Sequence, residues 1–199
     1  MSYPLSLIIG IGNPGEQYAE TRHNAGVWFV KRLAALYQGD FRVETKFFGS
    51  VSSVTYGGRE LKLLIPNSYM NESGKSVGAL VNFYKIPYKR ILVAHDELDL
   101  AAGVARLKQG GGLAGHNGLK DISRCFSDSK EFNRLRIGVG RPCSGSDITG
   151  YVLGKPSLTE KVQINESIEA ALNVLSFMVN GDWQIAMNQL NAVSNGEKL

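Results

Sequence analysis

The sequence predicts an α/β fold: one domain, residues 1–199, with a twisted mixed β-sheet flanked by helices. Three observations lead there. Short apolar runs of strand length alternate with longer stretches whose apolar residues recur at helical spacing. One hairpin signal, Gly57-Gly58, brings antiparallel pairing into an otherwise alternating pattern. The chain is 199 residues long and 43% hydrophobic, enough for one full core, and it contains no repeat, low-complexity segment or linker that would divide it.

Taken in order, residues 5–11 read as a buried strand that ends in the turn Gly10-Ile11-Gly12-Asn13-Pro14-Gly15. Thr21 is placed to cap a helix over residues 22–38, with Val27, Val30, Leu33, Ala34 and Tyr37 on one face. Residues 43–56 and 60–65 form the two strands of the hairpin, and Pro66 stops the second. A helix follows over 73–83, entered through Asn71 or Ser73 as cap. Residues 91–94 and 105–109 read as strands, 119–126 as a helix and 135–140 as a strand. The Gly-, Ser- and Pro-rich stretch 141–150 reads as a mobile loop, and 159–192 as helical with a break near Asn180-Gly181-Asp182.

Composition bounds the function. A formal charge of +4 permits a polyanionic partner without requiring one. Cys125 and Cys143 form no CxxC pair, which argues against a disulfide framework and for a reducing compartment. The N-terminus lacks a secretory pattern and no apolar run reaches membrane-spanning length, so a soluble cytoplasmic protein is expected.

Gly10-x-Gly12-x-x-Gly15 matches a dinucleotide fingerprint by letter only. Pro14 sits inside the turn, the helix starts late, and no acid follows about 20 residues on. The glycines are better explained as positions that let a strand turn sharply. His23 by itself reads as a histidine in the first turn of a helix. Asp96, at the end of a strand, offers the carboxylate that would orient it as a general base. His95-Asp96-Glu97-Leu98-Asp99 with His116 is rich in potential metal ligands, but its spacing fits no zinc pattern and thiolates are absent. The glycine-rich segment 110–118 opens onto a helix and suits a ribose-phosphate strand; it lacks the Lys-Ser/Thr ending of an NTPase loop. There is no Gly-x-Ser-x-Gly elbow, so activated water is a more natural nucleophile than a covalent intermediate.

Jointly these motifs resemble the bacterial peptidyl-tRNA hydrolase family. The match is carried by Gly10–Gly15, Tyr18 and 21–26, by Tyr69-Met70-Asn71-x-Ser73-Gly74, by 95–100, 110–121 and 134–140, and by Gly150-Tyr151-Val152-Leu153-Gly154. The resemblance implies a cytoplasmic monomer that hydrolyses the ester between a peptide and the 3′ ribose of tRNA, with no cofactor and no metal. It implies His23 as the base, Asp96 as its orienting acid and Asn13 as a residue selecting blocked substrates. Asn71 and Asn117 match substrate-binding amides, Tyr18 and Tyr69 positions lining the site, and Met70 an apolar wall; His116 joins this binding set. Lys108 and Arg136 match basic positions near tRNA phosphates. Ala114 departs from the family's usual glycine and Ala101-Ala102 from a common proline. Two other readings compete: a catalytically silent RNA-binding protein on the same scaffold, and a metal-dependent hydrolase using residues 95–99.

Overall fold

The computed structural model describes residues 3–194. Seven strands form one sheet in the order β2-β3-β4-β1-β5-β7-β6. They are β1 (Leu7–Gly10), β2 (Arg42–Glu44), β3 (Gly49–Tyr56), β4 (Arg59–Pro66), β5 (Ile91–Glu97), β6 (Ala105–Gln109) and β7 (Asn133–Gly138). The four central strands β4, β1, β5 and β7 pair in parallel, and the pairs β2/β3, β3/β4 and β6/β7 are antiparallel. The sheet is therefore mixed, as the single hairpin signal predicts.

Helices cover both faces: α1 (Ala25–Leu36), α2 (Ser73–Tyr84), α3 (Asn117–Cys125), α4 (Ile148–Val152), α5 (Leu158–Asn173), α6 (Leu175–Asn180) and α7 (Trp183–Ser194). Side chains alternate along each strand, so β1 sends Ile8 into one core and Leu7 and Ile9 into the other. The first core, with Phe29, Leu33, Ile164 and Leu175, is closed by α1 and the C-terminal helices. The second, with Val77, Leu80, Leu119 and Phe132, is closed by α2 and α3. Because α1 leaves β1 on one face and α2 approaches β5 on the other, a crevice opens at the carboxyl ends of β1 and β5.

Several boundaries differ from expectation for identifiable reasons. Thr21 does not cap a helix at residue 22: its hydroxyl donates back to the Tyr18 carbonyl. Residues Arg22–Asn24 form a 3₁₀ turn and α1 starts at Ala25. The run 43–56 is two strands, broken by a 3₁₀ turn at Thr45–Phe47 and by Phe48 at φ 48°. α2 is not capped by its own Asn71 or Ser73. Its Gly74 N–H donates to Asp121 of α3 at 2.7 Å, a tertiary cap that no local pattern reveals. β5 continues three residues past Ala94, because pairing with β7 reaches Glu97. The end of the expected loop is ordered as α4, capped by Asp147. The C-terminal helical stretch breaks at Val174 as well as at Gly181, where φ is 87°.

One close approach sets the geometry of the crevice. A β-carbon on Gly26 would lie 2.1 Å from the Ala94 carbonyl oxygen, and one on Gly10 would lie 2.4 Å from the Gly26 oxygen. Only glycine lets the first turn of α1 sit directly on β1 and β5. Gly26→Ala is expected to destabilise the protein by about 1–3 kcal/mol, as overpacking against fixed backbone does. Urea unfolding checks this; an unchanged midpoint would mean the helix can move away at no cost.

Candidate active site

The crevice at the ends of β1 and β5 is a cleft of about 570 Å³. It collects Asn13, Tyr18, His23, Tyr69, Met70, Asn71, Asp96, His116 and Asn117, nine of the eleven residues singled out from the sequence. Five separate segments deliver them: the turn after β1, the 3₁₀ turn before α1, the turn before α2, the end of β5 and the entry to α3.

Asp96 is the centre. It lies on β5, is only 3% exposed, and accepts from two imidazoles. His23 Nδ1 stands 2.9 Å from one carboxylate oxygen and 3.0 Å from the other. His116 Nε2 stands 3.0 Å from the first. The tautomers follow from the partners. His116 Nδ1 accepts the Leu119 N–H as the cap of α3, so its proton is on Nε2, facing Asp96. An ionised Asp96 only accepts, so His23 carries its proton on Nδ1 and keeps its Nε2 lone pair for the cleft. Burial opposes ionisation of Asp96, but His23 and His116 outweigh it and hold the carboxyl well below the usual range. Burial likewise lowers the His23 pKa, yet the charge and hydrogen bond of Asp96 win and leave it raised. The third histidine, His95, is wholly buried and donates from Nδ1 to the Asp96 backbone carbonyl at 2.7 Å. Burial and the neighbouring His116 push it down to about 3, so it stays neutral and leaves Asp96 to the other two.

The same contacts bear on metal binding. His23, Asp96 and His116 offer ligand atoms within 4.8 Å of one another. Each ring nitrogen nevertheless faces the carboxylate at hydrogen-bond distance, and a metal with ligands at about 2.0–2.2 Å would have to displace both bonds. The cluster 95–99 does not converge: Glu97 pairs with Arg136 at 2.9 Å, and Asp99 with Arg141. The arrangement suits proton transfer.

The amides are oriented by backbone. Asn13 Oδ1 accepts the Met70 N–H at 2.9 Å, which turns its NH₂ away as a donor. Asn24 holds the Asn13 backbone from both sides, accepting its N–H at 2.8 Å and donating to its carbonyl at 3.0 Å. Asn71 and Asn117 line the cleft, and their side chains have no hydrogen-bond partner among the described residues. Met70 is buried as an apolar wall, whereas Tyr69 is 56% exposed at the rim. Ala114 has φ 49°, a left-handed conformation that suits the glycine expected there better than alanine.

Lys108 and Arg136 do not line the cleft. They lie on β6 and β7, where Lys108 pairs in register with Arg134, and Arg106 with Arg136. Directly opposed residues share a sheet face, so four cations stand together beside Glu97. Burial, followed by Arg134 and Arg136, pulls the Lys108 pKa down.

The sequence reading missed one wall of the cleft and the residue that holds it. Ile148, Thr149, Val152 and Leu153, around α4, face the histidine across the crevice. Arg22 ties them down: its guanidinium donates to the Tyr151 and Lys155 carbonyls and to Glu160, and lies 4.1 Å from the centre of the Tyr151 ring. The available signal was the Gly150-Tyr151-Val152-Leu153-Gly154 motif, which the sequence reading noted without assigning it to the cleft.

Known proteins match this chain over nearly its full length. A family model described as peptidyl-tRNA hydrolase matches residues 7–198. A peptidyl-tRNA hydrolase of Pectobacterium atrosepticum is 50% identical over 188 residues, covering 94% of this chain and 96% of its own. One from Pseudomonas syringae pv. syringae is 49% identical over 188 residues, covering 94% and 97%. A crystal structure of peptidyl-tRNA hydrolase from Acinetobacter baumannii superposes with a TM-score of 0.92 at 46% identity, covering 96% of this chain and 97% of that one. With half of the aligned residues shared and 96% of the chain covered by the superposition, this chain belongs to the peptidyl-tRNA hydrolase family.

Proposed function

We propose that the protein hydrolyses the ester joining a peptide to the 3′ ribose of tRNA, with His23 activating water. The observation that carries this reading is the His23–Asp96 pair opening into a cleft lined by amide side chains. A catalytically silent RNA-binding protein would have no use for a buried carboxylate that raises the basicity of an imidazole at a cleft.

Neutral His23 takes a proton from water at Nε2, and the oxygen adds to the ester carbonyl. The imidazolium is stabilised by Asp96 through Nδ1–H. The tetrahedral centre collapses, the bond to the 3′ oxygen breaks, and the proton passes from Nε2 to that leaving oxygen. The ester is already activated, so the protein supplies a base, position and donors for the developing oxyanion. The NH₂ of Asn117 and of Asn71 are the candidate donors. The NH₂ of Asn13 meets the peptide carbonyl that a free aminoacyl group lacks. Tyr18 and Tyr69 flank the bound end and Met70 backs it. Lys108 and Arg136 contact tRNA phosphates outside the cleft. A tRNA-ester substrate of translation fits a protein that acts in the cytoplasm as a monomer. Among the described residues no helix is long and apolar enough to cross a membrane.

His23→Ala is expected to abolish turnover while retaining tRNA binding. In the wild type, kcat/KM rises with pH through the pKa of the free base, because only neutral His23 takes a proton. Asp96 raises that pKa, so the limb lies above the ordinary histidine value. Asp96→Asn removes the charge and leaves burial to dominate; the limb moves to lower pH and kcat falls more than KM rises. A limb that stays in place would remove Asp96 from this role.

Asn13→Ala is expected to lower both the rate and the preference for blocked over free aminoacyl-tRNA, since an unpaired polar group costs about 1–3 kcal/mol. Comparing kcat/KM on the two esters decides it; equal losses would assign Asn13 to holding Met70.

Lys108→Ala is expected to flatten the dependence of log K on log salt for full-length tRNA esters by about 0.7–0.9, one phosphate contact. A short peptide ester of adenosine should not respond. Arg136→Ala is the less clean test, because it leaves the buried Glu97 without its partner. An unchanged slope with Lys108→Ala would place the tRNA body elsewhere.

A further inference from the structure

Arg134 is a buried cation to which, among the described residues, no carboxylate is bound. It is 2% exposed, on β7. One terminal nitrogen donates to the Gly112 carbonyl at 2.6 Å; the other donates to the carbonyls of Gly110 and Gly111. Its Nε has no partner among the described residues. The nearby acid Glu97 is engaged by Arg136 instead. A buried charge spent on three consecutive backbone oxygens is costly unless those oxygens must be held. Gly110 and Gly111 are left-handed, at φ 61° and 76°, which turns successive carbonyls inward to one guanidinium. Four residues beyond Gly112 the same segment delivers His116, which donates to Asp96, and then Asn117 at the start of α3.

We infer that Arg134 is a positioning residue for the reaction: by clamping the carbonyls of Gly110, Gly111 and Gly112 it sets His116 against Asp96 and Asn117 into the cleft. Three observations favour this over a direct phosphate contact of the kind assigned to Lys108. The guanidinium is sealed from solvent, its terminal nitrogens are already bonded, and the segment it holds runs on into the cleft lining at residues 114–117. Lysine cannot replace it, because a single ammonium does not present a planar fork to three adjacent acceptors. The inference rests on the reading that Asn117 and His116 serve the hydrolysis.

Arg134→Lys keeps the charge and tests the fork. On a short peptide ester of adenosine, kcat should fall by on the order of 10- to 100-fold, as misplacement by about an ångström does, with little change in KM. Full-length peptidyl-tRNA should lose the same factor, and its salt slope should not change. In a double-mutant cycle, Arg134→Lys should cost almost nothing further on an Asn117→Ala, His116→Ala background, whereas a general structural defect would multiply through. Loss confined to full-length tRNA, or full multiplication in the cycle, overturns the inference. If Asn117→Ala and His116→Ala are themselves without effect, the reading of the site fails instead. Should Arg134→Lys not fold, amide exchange in the intact protein decides. The His116 N–H, bonded to the Leu113 carbonyl at 3.0 Å, should exchange as slowly as β7 amides if the segment is clamped. Exchange at the rate of an open loop overturns it.

Discussion

The structure depends on one buried carboxylate. Asp96 cannot stay ionised inside the protein unless something pairs it, and what pairs it is two N–H groups from two different segments. Ordering His23 and His116 around Asp96 thus stabilises the fold and arms the site at once. His116 is fully committed, with one nitrogen on the carboxylate and the other on the first turn of α3. His23 is committed on one side only, and the asymmetry leaves a single basic nitrogen at the cleft. Neutral His95 beneath them completes the environment without adding charge.

That arrangement needs strand ends held close together. Gly10 and Gly26 let α1 approach until its first turn touches β1 and β5. This places the 3₁₀ turn of His23 above Asp96 rather than one helix radius away. The Asn13–Asn24 pairing then locks the turn after β1 to the same segment, and the Asn13–Met70 bond draws in the entry to α2. Each contact satisfies a backbone group that a sharp turn would otherwise leave unpaired, so local folding and site assembly use the same hydrogen bonds.

The edge of the sheet divides its work by depth. On the β6–β7 face, Arg106, Lys108, Arg134 and Arg136 occupy opposed positions, yet their surroundings differ. Arg134 is sealed beneath the glycine segment, Arg136 is partly spent on Glu97, and Lys108 stands farther out at partial exposure. The formal charge of +4 is small, and this face gathers four of the 22 lysines and arginines.

How much of this was legible in the sequence varied with the range of the interaction. Alternating apolar runs predicted the α/β class and Gly57-Gly58 the hairpin, because each element records its own burial or turn in its residues. The motifs around His23, Asp96, Asn13 and Asn117 marked the right residues for the cleft. Boundaries set by distant partners were not readable. Gly74 is capped by Asp121, 47 residues away, and β5 reaches Glu97 only because β7 lies alongside. How the acids of 95–99 are used was unreadable for the same reason: Glu97 and Asp99 turn to Arg136 and Arg141, and Asp96 to two histidines, all from segments far off in the chain. Sequence by itself determined which groups are chemically able to act. Tertiary structure alone decided which nitrogen of His23 is free, that Arg22 holds the facing wall, and that Arg134 meets carbonyls rather than phosphate. Those outcomes rest on directional contacts between segments, and a linear pattern carries periodicity and residue type but not direction.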